Sequence, residues 1–153
     1  MKFIKPLLVF LFLNFGALGL GILLMGNGPT SAWYTSLNQA PWTPPNWVFG
    51  AAWTGVMLCF SFYMTLLYRK QPTNKVITLF IIQLALNIAW NFIFFNQHLI
   101  AIGLITLIAL TFIITVFLVT YFRLLKAYSL LIFPYFIWIW IATSLNLYIL
   151  IFN

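Results

Sequence analysis

Five runs of roughly 20 residues carry no charged side chain, at about 6–25, 46–68, 76–95, 99–122 and 128–151. A helix rises ~1.5 Å per residue, so each run is long enough to cross a hydrocarbon layer ~30 Å thick. Lipid offers the backbone no hydrogen bonds, and runs this long without alternation satisfy it as helices. The expected fold is an all-α integral membrane protein, a five-transmembrane-helix bundle forming a single domain over 1–153. A long loop is expected between helices 1 and 2. Composition agrees: 5% of residues are charged and 65% hydrophobic, too few charges to solvate a surface in water.

The breaks between the runs set an orientation. All seven cations lie in these breaks or ahead of the first run: Lys2 and Lys5 before the first run, Arg69, Lys70 and Lys75 after the second, Arg123 and Lys126 after the fourth. With five crossings they share one side, which the positive-inside rule makes cytoplasmic. The N-terminus is then inside, and the 26–45 loop and the C-terminus are outside. Lys2 and Lys5 ahead of an apolar run also suggest a signal peptide. The run of about 19 residues exceeds the usual ~7–15, however, and no clean small-x-small site follows, so the segment reads as a retained span.

There is no Asp or Glu in the chain. That removes side-chain carboxylates as acid–base groups, as hard-metal ligands and as an intramembrane proton relay. One Cys, Cys59, and one His, His98, make neither a metal site nor an intrachain disulfide. Cys59 reads as packing and His98 as solvated in a short outer loop. The cations form no stripe, so no nucleic-acid partner is expected, and no cofactor either.

The stretch "APWTPPNWVFGAAW", residues 40–53, sets three tryptophans and three prolines at one membrane boundary. Proline is tolerated in a helix's first turn, so Thr43 reads as a cap, with Pro44 and Pro45 starting the second span and stiffening the loop above it. Trp33, Trp42 and Trp47 fit an interfacial aromatic belt or a site. Trp53 lies ~9 Å deeper than Trp47, Trp90 sits in the outer third of the third span, and Trp138 is near the middle of the fifth. These indoles either fill the core or line a site, and buried ones need a partner for the N–H. Gln83, Asn87 and Asn91 recur every four residues on one face of the third span. Trp138, Ala142 and Asn146 form a similar row on the fifth, and Asn14 lies mid-span in the first. Intramembrane amides face protein or a cavity, as glue between helices or as part of a pocket. Trp53, Asn87, Trp90, Asn91 and Asn146 share the outer half, and indole faces with a few amides suit a flat apolar ligand. Ala17/Gly21 and Ala85/Ala89 are small-xxx-small pairs that permit close helix contact and weakly favour a dimer.

Three blocks in order, "WTPPNWVFGAAW" (42–53), "QLALNIAWNFIFF" (83–95) and "PYFIWIWIATSLN" (134–146), resemble the translocator protein family, known in bacteria as tryptophan-rich sensory proteins and formerly as the peripheral-type benzodiazepine receptor. The resemblance covers nearly the whole chain. It implies a five-helix bundle, often a homodimer, in a bacterial cytoplasmic (inner) membrane, with a ligand cleft under the first loop. It also implies binding of porphyrins such as protoporphyrin IX and of isoquinoline-carboxamide or benzodiazepine-type ligands. Carried over by position, the cleft would include Tyr34, Pro44, Trp53, Asn87, Trp90, Trp138, Ala142 and Asn146. Light-dependent porphyrin breakdown in some bacterial relatives would place Trp53 and Trp138 as the reactive indoles. Animal members carry a basic residue after a tyrosine late in the fifth helix and bind cholesterol. Here Tyr148 is followed by "ILIFN", which argues against sterol recognition. The outer loop also lacks Arg and Lys for porphyrin propionates, so stacking and burial would dominate binding.

Two classes of function follow: a receptor or transporter for tetrapyrroles, linked to their metabolism and to stress regulation, and a light-driven porphyrin-degrading enzyme. A small exporter is a third, limited by the missing carboxylates to facilitated movement or an unusual coupling.

Overall fold

The computed structural model describes residues 2–153, and among them all regular structure is helical. The α-helices are α1 (Ile4–Leu24), the short α2 (Ala32–Ser36), α3 (Asn46–Lys70), α4 (Asn74–Asn91), α5 (Ile100–Leu125) and α6 (Phe133–Phe152). A π turn, Phe92–Asn96, continues α4, and 3-10 turns occupy Gly28–Thr30 and Lys126–Ile132. Four helical stretches are long and apolar enough to cross a membrane. The last, Ile100–Phe152, has 53 residues and contains both α5 and α6.

Helix ends follow local chemistry, with two departures from the expected boundaries. The Thr73 hydroxyl accepts from Val76 N–H at 3.4 Å and caps α4, and Ser31 caps α2 through Tyr34 N–H at 3.2 Å. Thr43 does not cap α3. That helix begins at Asn46, after an extended Pro45 (ψ 151°) that supplies no side-chain cap. Pro45 disfavours helical backbone at Pro44, so both prolines precede the helix instead of starting it. The Thr43 N–H bonds Ala40 C=O at 2.9 Å in a turn. The second departure is at α6, which begins at Phe133 and not near 128. Lys126 has φ +52°, a value the α-helix excludes, so α5 ends there and the chain advances through a 3-10 segment to Pro134 in the first turn of α6.

The five long helices touch in a closed ring, α1–α4–α5–α6–α3 and back to α1. The interior is aromatic. Phe60, Tyr63, Phe117 and Tyr135 are fully buried, with Phe60 edge-on to Tyr135 at 5.1 Å and to Phe117 at 5.7 Å. Such pairs add ~0.5–1.5 kcal/mol each beyond the area they bury. Tyr63 donates to Phe117 C=O at 3.0 Å, and Asn14 Nδ2 donates to Ser61 Oγ at 2.8 Å, joining α1 to α3. The outward faces are apolar too: Phe12, Leu23, Phe112 and Val119 are each at least 66% exposed. A soluble protein does not present such faces on every side, whereas an acyl-chain solvent matches them.

The cations gather at one end. Arg69 lies 5.4 Å over the Phe3 ring, bringing the start of α1 to the end of α3, and Lys70 Nζ donates to Leu124 C=O at the end of α5. At the other end the segment between α1 and α3 folds across the bundle. Trp33 stacks on His98 at 4.0 Å and 9°, so the exposed imidazole is also a packing surface. Asn38 and Asn153 exchange backbone–side-chain bonds of 2.9 and 3.2 Å, and Trp42 Nε1 donates to Ser144 Oγ at 3.1 Å.

Candidate ligand cavity

Beneath that segment, at the end away from the cations, lies a cavity of about 200 Å³. Trp53, Phe49 and Gly50 of α3 form one wall, and Asn87, Trp90 and Asn91 of α4 another. Leu18 and Ile22 of α1 and Pro29 of the crossing segment close it. The spacing explains the walls: Phe49 and Trp53, and Asn87 and Asn91, are four residues apart and share a helix face. Gly21 allows α1 to come close, because a Cβ there would stand 2.8 Å from Asn91 Nδ2.

Next to it is a compartment with about 10 Å³ of free space, about enough for one water. Tyr34, Trp138, Ala142 and Asn146 line it, and it shares Phe49, Trp53, Trp90 and Phe95 with the larger cavity. Those four rings are a partition. Trp53 meets Trp138 edge-on at 6.5 Å and 85°, and Phe49 meets Trp138 at 5.7 Å. The half of the bundle away from the cations thus holds one open and one collapsed chamber divided by aromatic rings.

The polar groups are amides, indole N–H groups and the hydroxyls of Thr54 and Tyr34, without charge. Trp90 Nε1 donates to Asn146 Oδ1 at 3.2 Å, and Asn146 Nδ2 donates to Ile100 C=O at 3.0 Å. Asn91 Nδ2 donates to Asn87 C=O at 3.0 Å. Deeper, the Tyr135 hydroxyl donates to Gln83 Oε1 at 2.8 Å and accepts from Asn87 Nδ2 at 3.4 Å. Trp138 Nε1 is buried without a partner among the described residues. Such walls can stack on, desolvate and orient a flat guest, and their donors are neutral. No cluster of three metal-ligating side chains occurs among the described residues.

Of the residues assigned to the cleft from sequence, Trp53, Asn87 and Trp90 line the open chamber, and Tyr34, Trp53, Trp90, Trp138, Ala142 and Asn146 the collapsed one. Pro44 lines neither, because it sits in the extended approach to α3. Gln83, on the same face as Asn87, turns to Tyr135 in the core. Sequence reasoning missed Phe49, Phe95 and the α1 wall. Phe49 was recoverable from its four-residue spacing to Trp53. Phe95 was not, because Phe94 and Phe95 are adjacent and both buried where the chain leaves α-helical geometry in the π turn. Such turns concentrate at functional sites.

Fold and cavity define a helical integral membrane protein whose half away from the cations holds a chamber walled by indoles and carboxamides from separate helices. A family model described as the TspO/MBR family matches residues 8–152, and the chain belongs to that family. It is 33% identical over 129 residues to the tryptophan-rich protein TspO of Chlorobaculum tepidum, covering 82% of each chain. It is 34% identical over 123 residues to the protein of the same name from Archaeoglobus fulgidus, covering 79% of this chain and 80% of that one. Similarity extends to the human translocator protein, at 28% over 125 residues, 78% of this chain and 74% of that one.

Proposed function

We propose that the protein is a membrane receptor or facilitative carrier for flat, apolar small molecules, with porphyrins such as protoporphyrin IX foremost and isoquinoline-carboxamide or benzodiazepine-type compounds bound by the same surfaces. In this reading the chain crosses the bacterial cytoplasmic membrane five times, with 100–152 making two crossings and the 26–45 segment covering the site. The observation that carries it is the convergence of Trp53, Trp90 and Trp138 with Asn87 and Asn146 around adjoining chambers. Ligand pockets usually hold ~300–1,000 Å³, so a tetrapyrrole needs both chambers joined, with rings of the Phe49–Trp53–Trp90–Phe95 partition turned aside. The unpartnered Trp138 N–H then gains a ligand acceptor. Propionates stay toward water, since the outer segment holds no Lys or Arg.

A homodimer belongs to the same reading. Ala85 is exposed and Ala89 half-buried on the outward side of α4, where a second copy packs closely. Titrating the purified protein with protoporphyrin IX in the dark, which separates binding from photochemical loss, tests the site. Tryptophan fluorescence should quench saturably, and the folded double variant Trp53→Phe, Trp138→Phe should bind at least ~10-fold more weakly. Unchanged affinity in that variant rules the site out.

A further inference from the structure

A second cavity, of about 560 Å³, lies at the cationic end of the bundle between α1 and α4. Its buried walls are Phe10, Val76 and Phe80, with Met64 of α3 beneath them. Its sides are open: Val9 is 54%, Ile81 58% and Ile77 40% exposed along the outward faces of the two helices. From Val76 to Leu84 it runs ~12 Å along α4, close to the depth of one leaflet of a hydrocarbon core ~30 Å thick. It is therefore a lipid-facing slot one acyl chain deep, separate from the cavity at the other end.

Its mouth is positively charged without compensation. Lys5 lies on its wall, and Lys75 directly precedes Val76. Neither lysine has a hydrogen-bond partner among the described residues, whereas Arg69 is held over Phe3 and Lys70 at Leu124 C=O. The chain has no Asp or Glu side chain to neutralise them. A second copy of the chain would bring more cations and no anionic side chain, so it fits this mouth poorly. We infer that the slot seats an anionic phospholipid from the leaflet at the cationic end, with an acyl chain between α1 and α4 and the phosphate against Lys5 and Lys75. A zwitterionic lipid fills the same apolar slot but brings no net charge to complement the lysines.

The test uses the whole protein in nanodiscs of equal phosphatidylglycerol and phosphatidylcholine, released gently and weighed by native mass spectrometry. Phosphatidylglycerol should be retained at least threefold over phosphatidylcholine. The double variant Lys5→Gln, Lys75→Gln should bring the ratio to parity, and Lys5→Arg, Lys75→Arg should restore it. Ile81→Trp, which narrows the slot, should lower retention of both lipids. Circular dichroism and porphyrin titration at the opposite end, unchanged in every variant, show that the fold is intact. Equal retention by the unmodified chain overturns the inference. So does a preference that survives the glutamine pair, or an Ile81→Trp chain that keeps its lipids and loses only its self-association.

Discussion

Trp90 and Trp138 are both buried indoles, and one difference between them sets what each contributes. Trp90 donates to Asn146 Oδ1, while Trp138 Nε1 has no partner among the described residues. Leaving a buried acceptor unpaired costs ~1–3 kcal/mol, whereas removing an unpaired donor costs little beyond the lost ring area. Trp90→Phe should therefore lower the thermal midpoint in detergent by several degrees more than Trp138→Phe. The order should reverse for porphyrin affinity, where the free N–H of Trp138 matters. Equal midpoints would show that the Trp90–Asn146 bond adds nothing to the bundle. Gly21 supports a second test at this scale. A methyl group there would stand 2.8 Å from Asn91 Nδ2, the end of a flexible side chain that can swing away at the loss of its bond to Asn87 C=O. That bond is worth ~1 kcal/mol, so Gly21→Ala should fold normally yet bind porphyrin ~5-fold more weakly, because Asn91 swings within the chamber wall. Unaltered affinity, measured by the same fluorescence titration, would remove Asn91 from the site.

Helix interiors were legible because membrane solvent leaves little choice: a charge-free run of about 20 residues has one stable backbone. Their ends were not, because ends are decided by contacts the run does not encode. Pro44 and Pro45 were read as a helix start, but two prolines in series hold the first in extended backbone. The positive φ of Lys126 and the π turn at Phe92–Asn96 have no counterpart in composition. The π turn lets Phe94 and Phe95 both enter the core, a requirement visible only once α5 and the crossing segment are in place. That segment is fixed chiefly at its far side, where Asn153 accepts from Asn38 N–H and donates to Asn38 C=O. Asn153→Ala deletes both bonds. Hydrogen exchange over residues 37–45 should then accelerate by ~5-fold or more, with the helices unaffected and ligand release faster. Unchanged exchange would mean that the remaining ties, Asn38 Nδ2 to Phe152 C=O at 3.0 Å and Trp42 on Ser144 and Tyr148, hold the segment without Asn153.

The four-residue rows on α4 and α6 revealed which faces carry polar groups, but not which helix each face meets. The order of helices around the ring is set by packing among non-adjacent spans, and a single sequence holds no record of that. Gln83 shows the consequence: it shares a face with Asn87 yet turns to Tyr135 instead of the chamber. Charge placement, by contrast, was readable from sequence alone, since every cation lies outside the apolar runs, and the folded chain collects them at one end. Cations at one end resist translocation, so that end should face the cytoplasm and the chamber should open to the other side. Cysteine labelling checks this directly. In a Cys59→Ser background, the single substitutions Asn38→Cys and Gln71→Cys place a thiol at the chamber end and at the cationic end. A membrane-impermeant maleimide applied to intact cells should label Asn38→Cys, and should reach Gln71→Cys only after the membrane is opened. The reverse pattern would put the chamber on the cytoplasmic side, and a ligand would then have to be captured from the cell interior.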